Sequence, residues 1–235
     1  MTDRTVWLDR VTSTQDVLHG LAADGAPDGT AVVAVEQTDG RGSRGRSWNS
    51  GRGGLWLSVL SRSAGPSPAE ALSVRAALGV AAALDAMGVR GVAVKWPNDL
   101  MLNDRKLGGI LCEARWLGDR FAWVVIGVGL NVTNILPHDL RSSAIALAET
   151  HSAIRAGDLA SVVIEQLRSG AAITTPLADA EQSAFVTRDW LAGRVLTSPA
   201  AGMADGVDPD GALRIRRADG TVEVVRVGPA VAATH

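Results

Sequence analysis

The stretch RFAWVVIGVGLNV, residues 120–132, decides the fold, because its run of apolar and β-branched residues predicts a strand. Two strand-like runs precede it, VAVKW (92–96) and KLGGILCEAR (106–115), and the NDLMLNDR between them predicts a turn or a short hairpin. Further upstream, TAVVAVEQ (30–37) predicts a buried strand, and GGLWLSVLS (53–61) predicts another. We expect these strands to form the sheet of an α/β body.

Three segments predict the helices of this body. Ser13 is an N-cap, followed by apolar residues at helical spacing. The sequence SPAE (67–70) predicts a second helix, with its serine as the N-cap and its proline at the first helical position, running to about Gly88. A third, amphipathic helix begins near Asp158.

The last part of the chain has a different character. From about Leu191, short apolar pieces alternate with DPDG (208–211) and ADG (218–220), which predict hairpin turns. This pattern predicts a small all-β unit appended to the α/β body. We therefore expect two domains, residues 1–188 and residues 189–235.

Composition and charge exclude several classes of function. The chain has 235 residues and a formal net charge of -2, which gives no overall attraction to nucleic acid or to an anionic membrane. No apolar run reaches the roughly 18 residues of a membrane span, and the first residues lack the apolar centre of a signal peptide. We expect a cytoplasmic protein in which the single cysteine, Cys112, is a buried apolar residue.

The sequence GRGSRG (40–45) matches the dinucleotide-binding pattern G-x-G-x-x-G, but its context does not fit. A dinucleotide site needs a helix after the glycines, whereas the next predicted element is a strand. The loop is instead rich in arginine, with four at positions 41, 44, 46 and 52. It is either a flexible loop that closes over an anion or a solvated basic hairpin loop.

Polar residues also gather at the ends of the predicted strands, where functional sites often lie. Lys95, Asn98, Asp99 and Lys106 fall at strand ends or in the turn between them. Asn131 lies at the end of the predicted strand in RFAWVVIGVGLNV, and it is either a structural turn residue or a ligand contact.

Taken in order, six motifs resemble those of biotin protein ligases: STQ (13–15), EQTDGRGSRGRSW (36–48), GGLWLS (53–58), KWPNDL (95–100), RKLGGIL (105–111) and IGVGLNV (126–132). The resemblance implies a mixed β-sheet with helices packed against it, followed by a C-terminal SH3-like small β-barrel. It also implies a reaction in two steps. Biotin's carboxylate attacks the α-phosphorus of ATP to give biotinyl-5′-adenylate and pyrophosphate, and a lysine of a biotin carboxyl carrier protein then takes the biotinyl group.

The resemblance assigns roles to particular residues. Lys106 and Arg41 stabilise the reacting anions, and Asp99 either orients the incoming lysine or merely caps a turn. The predicted biotin-binding residues are Ser13, Thr14, Gln15, Gln37, Gly40, Arg41, Gly42, Ser43 and Lys106. The predicted ATP-binding residues are Arg44, Arg46, Trp48, Lys95, Asn98 and Asn131. A plain salt bridge is an equal alternative for Lys95, and for Trp48 and Trp96 a place in the core is favoured over the pocket wall.

The resemblance also leads to predictions about cofactors and partners. Mg²⁺ is expected with ATP, although the sequence indicates no protein ligands for it. The acceptor is expected to be the carrier protein or domain of a biotin-dependent carboxylase, and a homodimer is possible. Because the first strand begins near Thr5, we expect no DNA-binding unit and no repressor function. The segment from about Ile135 to Thr150 is a candidate for a second loop over the adenine.

Ser43 is a departure from the family pattern, which usually has arginine there. We expect either weaker retention of the adenylate or compensation by a neighbour such as Arg44. Two rival functions remain: a lipoate-type ligase that activates a different acid, and a non-catalytic binding module.

Overall fold

The computed structural model of the chain describes residues 4–62, 69–171, 176–226 and 228–232. The predicted N-cap Ser67 and the predicted helix-start Pro68 lie outside these residues, as do the outermost ends of both predicted domains.

The main body is a mixed seven-stranded sheet with the order β1-β2-β3-β7-β6-β5-β4. Only β1 and β2 run parallel, and the other neighbours are antiparallel. The strands are β1 (Thr5–Val11), β2 (Ala31–Gln37), β3 (Leu55–Ser61), β4 (Ala93–Lys95), β5 (Asp99–Leu102), β6 (Arg105–Leu117) and β7 (Arg120–Leu130). The stretch RFAWVVIGVGLNV contains β7, the central strand, and the NDLMLNDR segment contains the β5–β6 hairpin, as predicted.

Helices cover the sheet on both faces, which explains why its central strands are apolar almost throughout. The helices are α1 (Thr14–Ala23), α2 (Ala69–Ala86), α3 (Ala156–Ala171) and α4 (Asp179–Arg188). On β7, Val124 and Ile126 belong to the large core under α2 and α3, whereas Trp123 and Val125 join a smaller core under α1. The sequence prediction missed α4, whose apolar pattern is weak.

The C-terminal part forms a separate five-stranded antiparallel sheet with the order β11-β10-β9-β8-β12. Its strands are β8 (Val195–Ser198), β9 (Gly202–Val207), β10 (Leu213–Arg216), β11 (Val222–Val225) and β12 (Val231–Ala232). The DPDG and ADG segments connect β9 to β10 and β10 to β11, as predicted. The fold class of an α/β body plus a small β unit is confirmed, while the division at residue 188 stays a prediction.

The two sheets are joined through buried contacts. The indole Nε1 of Trp96, which is 1% exposed, donates to Gly211 O at 2.9 Å. Trp96 therefore fills the core, as predicted. Among the described residues, no helix is long and apolar enough to cross a membrane.

A buried ion pair joins α2 to α4. Arg75 is 4% exposed, and its Nε and NH2 donate to the two carboxylate oxygens of Glu181 at 2.6 and 3.0 Å. The hydrogen bond from Arg75 is the main cause that lowers the pKa of Glu181. The pair fixes α4, which leads into the second sheet.

We expect the Glu181→Gln variant to lose about 1–3 kcal/mol of unfolding free energy at pH 7, because the buried guanidinium of Arg75 then faces a neutral amide in place of the Glu181 carboxylate. Since the folded state lowers the pKa of Glu181, the stabilisation is present above the ordinary glutamate pKa and is lost as pH falls through the folded value. Urea titrations from neutral to acidic pH should show the wild type converging on the variant. Glu223→Gln, which breaks the exposed pair with Arg217, is the control and should change stability much less.

Candidate active site

A cavity of about 580 Å³ opens beside the end of β7. The cavity exists because the side chains of β7 change from large to absent along the face that packs under α1. After Trp123 and Val125, the next residues on this face are Gly127 and Gly129, which line the cavity. A Cβ at Gly127 would lie 2.9 Å from Gln15 Nε2, and one at Gly129 would lie 2.7 Å from Trp48 Nε1. The glycines therefore leave room for the side chains that form the wall.

All but two of the predicted site residues line this cavity. They are Ser13, Thr14, Gln15, Gln37, Arg41, Gly42, Ser43, Arg46, Trp48, Lys95, Asn98, Asp99, Lys106 and Asn131. Gly40 is buried beside the wall, where a Cβ would lie 2.3 Å from Ser50 Oγ, so its backbone approaches its neighbours closely. Arg44 has a φ of 62° and an exposed side chain, and it does not line the cavity.

Lys106 and Asp99 meet in the cavity from adjacent strands. Lys106 Nζ lies 2.5 Å from Asp99 Oδ1 and 5.0 Å from the centre of the Trp48 ring. Trp48 is thus part of the wall, and the expectation of a place in the core was wrong for this residue. Its indole Nε1 is buried without a hydrogen-bond partner among the described residues.

The amide side chains near α1 form a polar end of the cavity. Gln37 Oε1 accepts from Thr14 N and Oγ1 at 2.8 and 3.1 Å, and Gln37 Nε2 donates to Ser50 Oγ at 2.8 Å. Ser13 caps α1 as predicted, accepting from Gln15 N. Gln15 Nε2 donates to Leu111 O at 2.9 Å.

The other amide atom of Gln15 stands apart from this network. Oε1 is buried and, within the described residues, has no hydrogen-bond partner. A buried acceptor without a partner is costly, so Oε1 is suited to receive a donor from a ligand.

Arg41 is held by two carboxylates that the sequence analysis did not single out. NH1 lies 2.7 Å from Asp16 Oδ2, and NH2 lies 3.2 Å from Glu113 Oε2. The imidazole of His19, whose Nε2 is 3.6 Å from Glu113 Oε2, lowers the pKa of Glu113 together with Arg41. Asp16 in turn raises the pKa of Arg41. Asp16, the acidic residue directly after STQ, was the sequence signal that could have predicted an ion pair with Arg41.

The segment 136–144 forms another side of the cavity and is docked on β6. Lys106 N donates to Ser143 O at 2.8 Å, and Ile145 N donates to Lys106 O at 3.0 Å. The adjacent Arg105 pairs with Glu149 at 2.8 Å. The loop predicted over residues 135–150 therefore does reach the site, with lining residues Leu136, Pro137, Leu140, Ser142, Ser143 and Ala144.

Two asparagines border this side of the cavity. Asn98 Nδ2 donates to Ile110 O at 2.6 Å, and Asn131 Oδ1 accepts from Asn134 Nδ2 at 3.1 Å. Asn131 Nδ2 has no protein partner within the described ranges. The Oδ1 atom of Asn131 thus makes a structural contact, as in one of the two predicted alternatives. Its Nδ2 amino group is still available to donate to a ligand.

Two further cations in the cavity have no ion-pair partner among the described residues. Lys95 Nζ lies 4.8 Å from the centre of the Trp190 ring, and burial is the main cause that lowers the Lys95 pKa. The plain salt bridge considered for Lys95 is not observed. Arg46 donates from Nε to Ser43 O at 3.3 Å and from NH2 to Ser43 Oγ at 3.2 Å. Sequence reasoning missed Trp190, which lies distant in sequence from every motif.

The site therefore combines a polar end that has an open acceptor with four cations lining the same cavity. Such an arrangement suits a ligand or ligands that carry several negative charges. The fold and the site together define a mixed-sheet protein with a cleft whose lining suits acidic small molecules.

The chain belongs to the Biotin/lipoate A/B protein ligase family, whose model matches residues 7–131. Over 154 residues it is 37% identical to the bifunctional ligase/repressor BirA of Bacillus subtilis, covering 63% of this chain and 47% of the relative. Over 145 residues it is 39% identical to the biotin--[acetyl-CoA-carboxylase] ligase of Mycobacterium tuberculosis, covering 58% and 52%. The chain thus spans about half the length of these curated relatives.

Solved structures share nearly the whole fold. The biotin protein ligase of Aquifex aeolicus in complex with biotin and ATP superposes with a TM-score of 0.81 at 24% identity, covering 97% of this chain and 98% of that one. The Leishmania major enzyme in complex with biotinyl-5-AMP gives a TM-score of 0.68 at 25% identity, covering 96% and 99%.

We expect Glu113→Gln to loosen the arginine-rich loop, because Arg41 then loses one of its two carboxylate partners. Limited digestion with trypsin should cut after Arg44 or Arg46 about threefold to tenfold faster than in the wild type, as expected when one charged hydrogen bond stops opposing local opening. Glu223→Gln serves as the control and should leave this rate unchanged. An equal rate in Glu113→Gln and wild type would show that the ion pair does not hold the loop.

Proposed function

We propose that the chain is a biotin protein ligase, which forms biotinyl-5′-adenylate from biotin and ATP and transfers the biotinyl group to a lysine of a carrier protein. The observation that carries the proposal is the convergence of Lys106, Arg41 and the open acceptor Gln15 Oε1 on one cavity. The family membership and the names of the relatives support it.

The first step must bring together a carboxylate and a triphosphate, which repel each other. Lys106 is placed to offset this repulsion as a compact charge, and Arg41 adds directed donors from the loop. As biotin's carboxylate oxygen bonds to the α-phosphorus, negative charge builds up around phosphorus until pyrophosphate leaves. A fixed ammonium in a partly enclosed cavity stabilises that charge more than water does.

The polar end of the cavity suits the ureido ring of biotin. That ring has two N–H donors and one carbonyl acceptor, and Gln15 Oε1 offers the acceptor that an N–H needs. Thr14 and Gln37 already satisfy one another, so their part is to hold the wall around Gln15 in place. Glutamine at position 15, where the family often has asparagine, thus retains an amide acceptor.

We assign the nucleotide to the part of the cavity lined by Asn131, Lys95, Arg46 and the segment 136–144. Asn131 Nδ2 supplies a donor. Lys95 and Arg46, which have no ion-pair partner among the described residues, supply positive charge for the phosphates. Magnesium enters with ATP, whose charge it partly neutralises. No group of three or more His, Cys, Asp or Glu side chains suited to a metal occurs in the described part of the chain.

In the second step, the amine of the carrier lysine must lose a proton before it attacks the activated carbonyl. Asp99 is the carboxylate in the cavity that pairs with Lys106. Once the adenylate engages Lys106, Asp99 is free to orient the incoming amine and accept its proton. The amine's nitrogen then bonds to the carbonyl carbon, and AMP leaves.

The acceptor we propose is the biotin carboxyl carrier protein or domain of a biotin-dependent carboxylase, in keeping with relatives named for acetyl-CoA carboxylase. The homodimer, the cytoplasmic location and the absence of DNA binding remain predictions from the sequence. A lipoate-type ligase is the second candidate, because the family includes both classes. The open amide acceptor favours biotin, since lipoate's ring offers no N–H donor, and isothermal titration with both acids separates the two.

Incubation with ATP, biotin and a carrier domain should add one biotinyl group to the carrier, as seen by mass spectrometry. We expect the Lys106→Gln variant to release pyrophosphate in the presence of biotin about 100-fold more slowly or worse, as when a main electrostatic group is removed. Lys106→Gln is uncharged and similar in length, so its melting temperature checks that the fold is intact. Turnover of lipoate but not biotin, or unchanged turnover in Lys106→Gln, would refute the assignment.

We expect Ser43→Arg to hold biotinyl-5′-adenylate about tenfold longer than the wild type, as one added charged hydrogen bond would give. Arg44, the neighbour considered as a substitute, does not line the cavity, which supports weaker retention in the wild type over compensation by this residue. The half-life of the enzyme-bound adenylate, chased with unlabelled ligand, measures the effect. Ser43→Ala is the control for the loss of the contact between Arg46 and the Ser43 hydroxyl. Equal half-lives in Ser43→Arg and the wild type would mean that Arg46 already retains the adenylate.

A further inference from the structure

Trp190 lies in the segment between the two sheets and forms part of the cavity wall. Its backbone N donates to Val94 O at 3.0 Å, which ties the segment to β4. Its indole Nε1 donates to Asp104 Oδ1 at 2.9 Å, in the turn between β5 and β6. The connection between the sheets is therefore fastened beside the strands that carry Lys95 and Lys106.

Two cations pack on the Trp190 ring. Arg194 Cζ lies 3.9 Å from the ring centre, and Lys95 Nζ lies 4.8 Å from it. Arg194 is fixed by further contacts, since Nε donates to Trp190 O and NH2 to Asp104 Oδ1, both at 2.8 Å. Asp104 thus neutralises Arg194, whereas Lys95 forms no ion pair with any described carboxylate and keeps its charge available.

Positive charge is concentrated around Lys95. Lys106 and Arg46 line the same cavity as Lys95, and Arg194 packs on the same tryptophan ring. Burial is the largest cause that lowers the Lys95 pKa. An excess of cations in a partly buried region suits an anion of high charge density.

We propose that Trp190 is a positioning residue that holds the Lys95 ammonium at the cavity, where it binds the polyphosphate part of a nucleotide. The proposal rests on the proposed function, in which ATP is the source of the pyrophosphate. A free lysine side chain loses rotamer freedom when it binds an anion, and the aromatic ring removes part of that cost by holding it beforehand. The segment that leads to the second sheet would then contribute directly to the site.

Isothermal titration with inorganic pyrophosphate tests this in the full chain. We expect Trp190→Leu and Lys95→Met each to weaken binding about tenfold, and the double variant to be no weaker than Lys95→Met, because Trp190 acts through Lys95. Wild-type affinity in Trp190→Leu would overturn the proposal. So would a double variant whose loss is the product of the two single losses, or a wild type that does not bind pyrophosphate.

The matched control is Trp116→Leu, which removes an exposed tryptophan outside the cavity and should leave pyrophosphate affinity unchanged. Trp190→Phe keeps the ring and should bind nearly as the wild type, whereas Trp190→Met keeps bulk without the ring and should bind like Trp190→Leu. If Trp190→Leu proves unstable in thermal melting, the comparison of Trp190→Phe with Trp190→Met tests the proposal in its place. Because the probe is pyrophosphate alone, a wild type that binds it but makes no biotinyl adenylate would refute the proposed function and not this inference.

Discussion

The site depends on a constraint within one strand. On the face of β7 that packs under α1, large side chains at Trp123 and Val125 give way to Gly127 and Gly129, so the sheet stays hydrogen-bonded while the space above it opens. The neighbouring strands supply β7 with partners on both sides, and the large core under α2 and α3 holds its other face. A cavity made in this way has a rigid floor, which is what precise placement of reacting groups requires.

The charges around the cavity fall into two groups. Lys106 and Arg41 already have carboxylate partners, whereas Arg46 and Lys95 have none in the described part of the chain. Paired cations have fewer donors free for an anion than unpaired ones, so anion binding at Lys106 or Arg41 competes with the carboxylates already present. In the proposed reaction, this competition at Lys106 would free Asp99 for the second step.

Much of this architecture is readable from the sequence. The apolar runs gave the strands, and turn residues such as those of DPDG marked the hairpins, because these signals are local. Nearly all of the site residues predicted from the ordered motifs also line the cavity. The sequence could not show the contacts of Glu113 with Arg41, of Trp48 with Lys106 and of Trp190 with Lys95. Each of these contacts joins residues that are distant along the chain. Helix α4 was missed for a related reason: its position is set by contacts such as Arg75–Glu181 rather than by its own apolar pattern.

The two sheets are coupled at the same place where the cavity lies. Trp96, which follows Lys95 in the sequence, donates a hydrogen bond to Gly211 O in the second unit. Trp190, in the segment that connects the two units, contacts Lys95 itself. The second unit and the connecting segment therefore both have contacts next to one cavity-lining lysine. Small β units appended to a larger body often look dispensable, but here the hydrogen bond from Trp96 and the ring contact of Trp190 join the appended unit to the body beside the cavity.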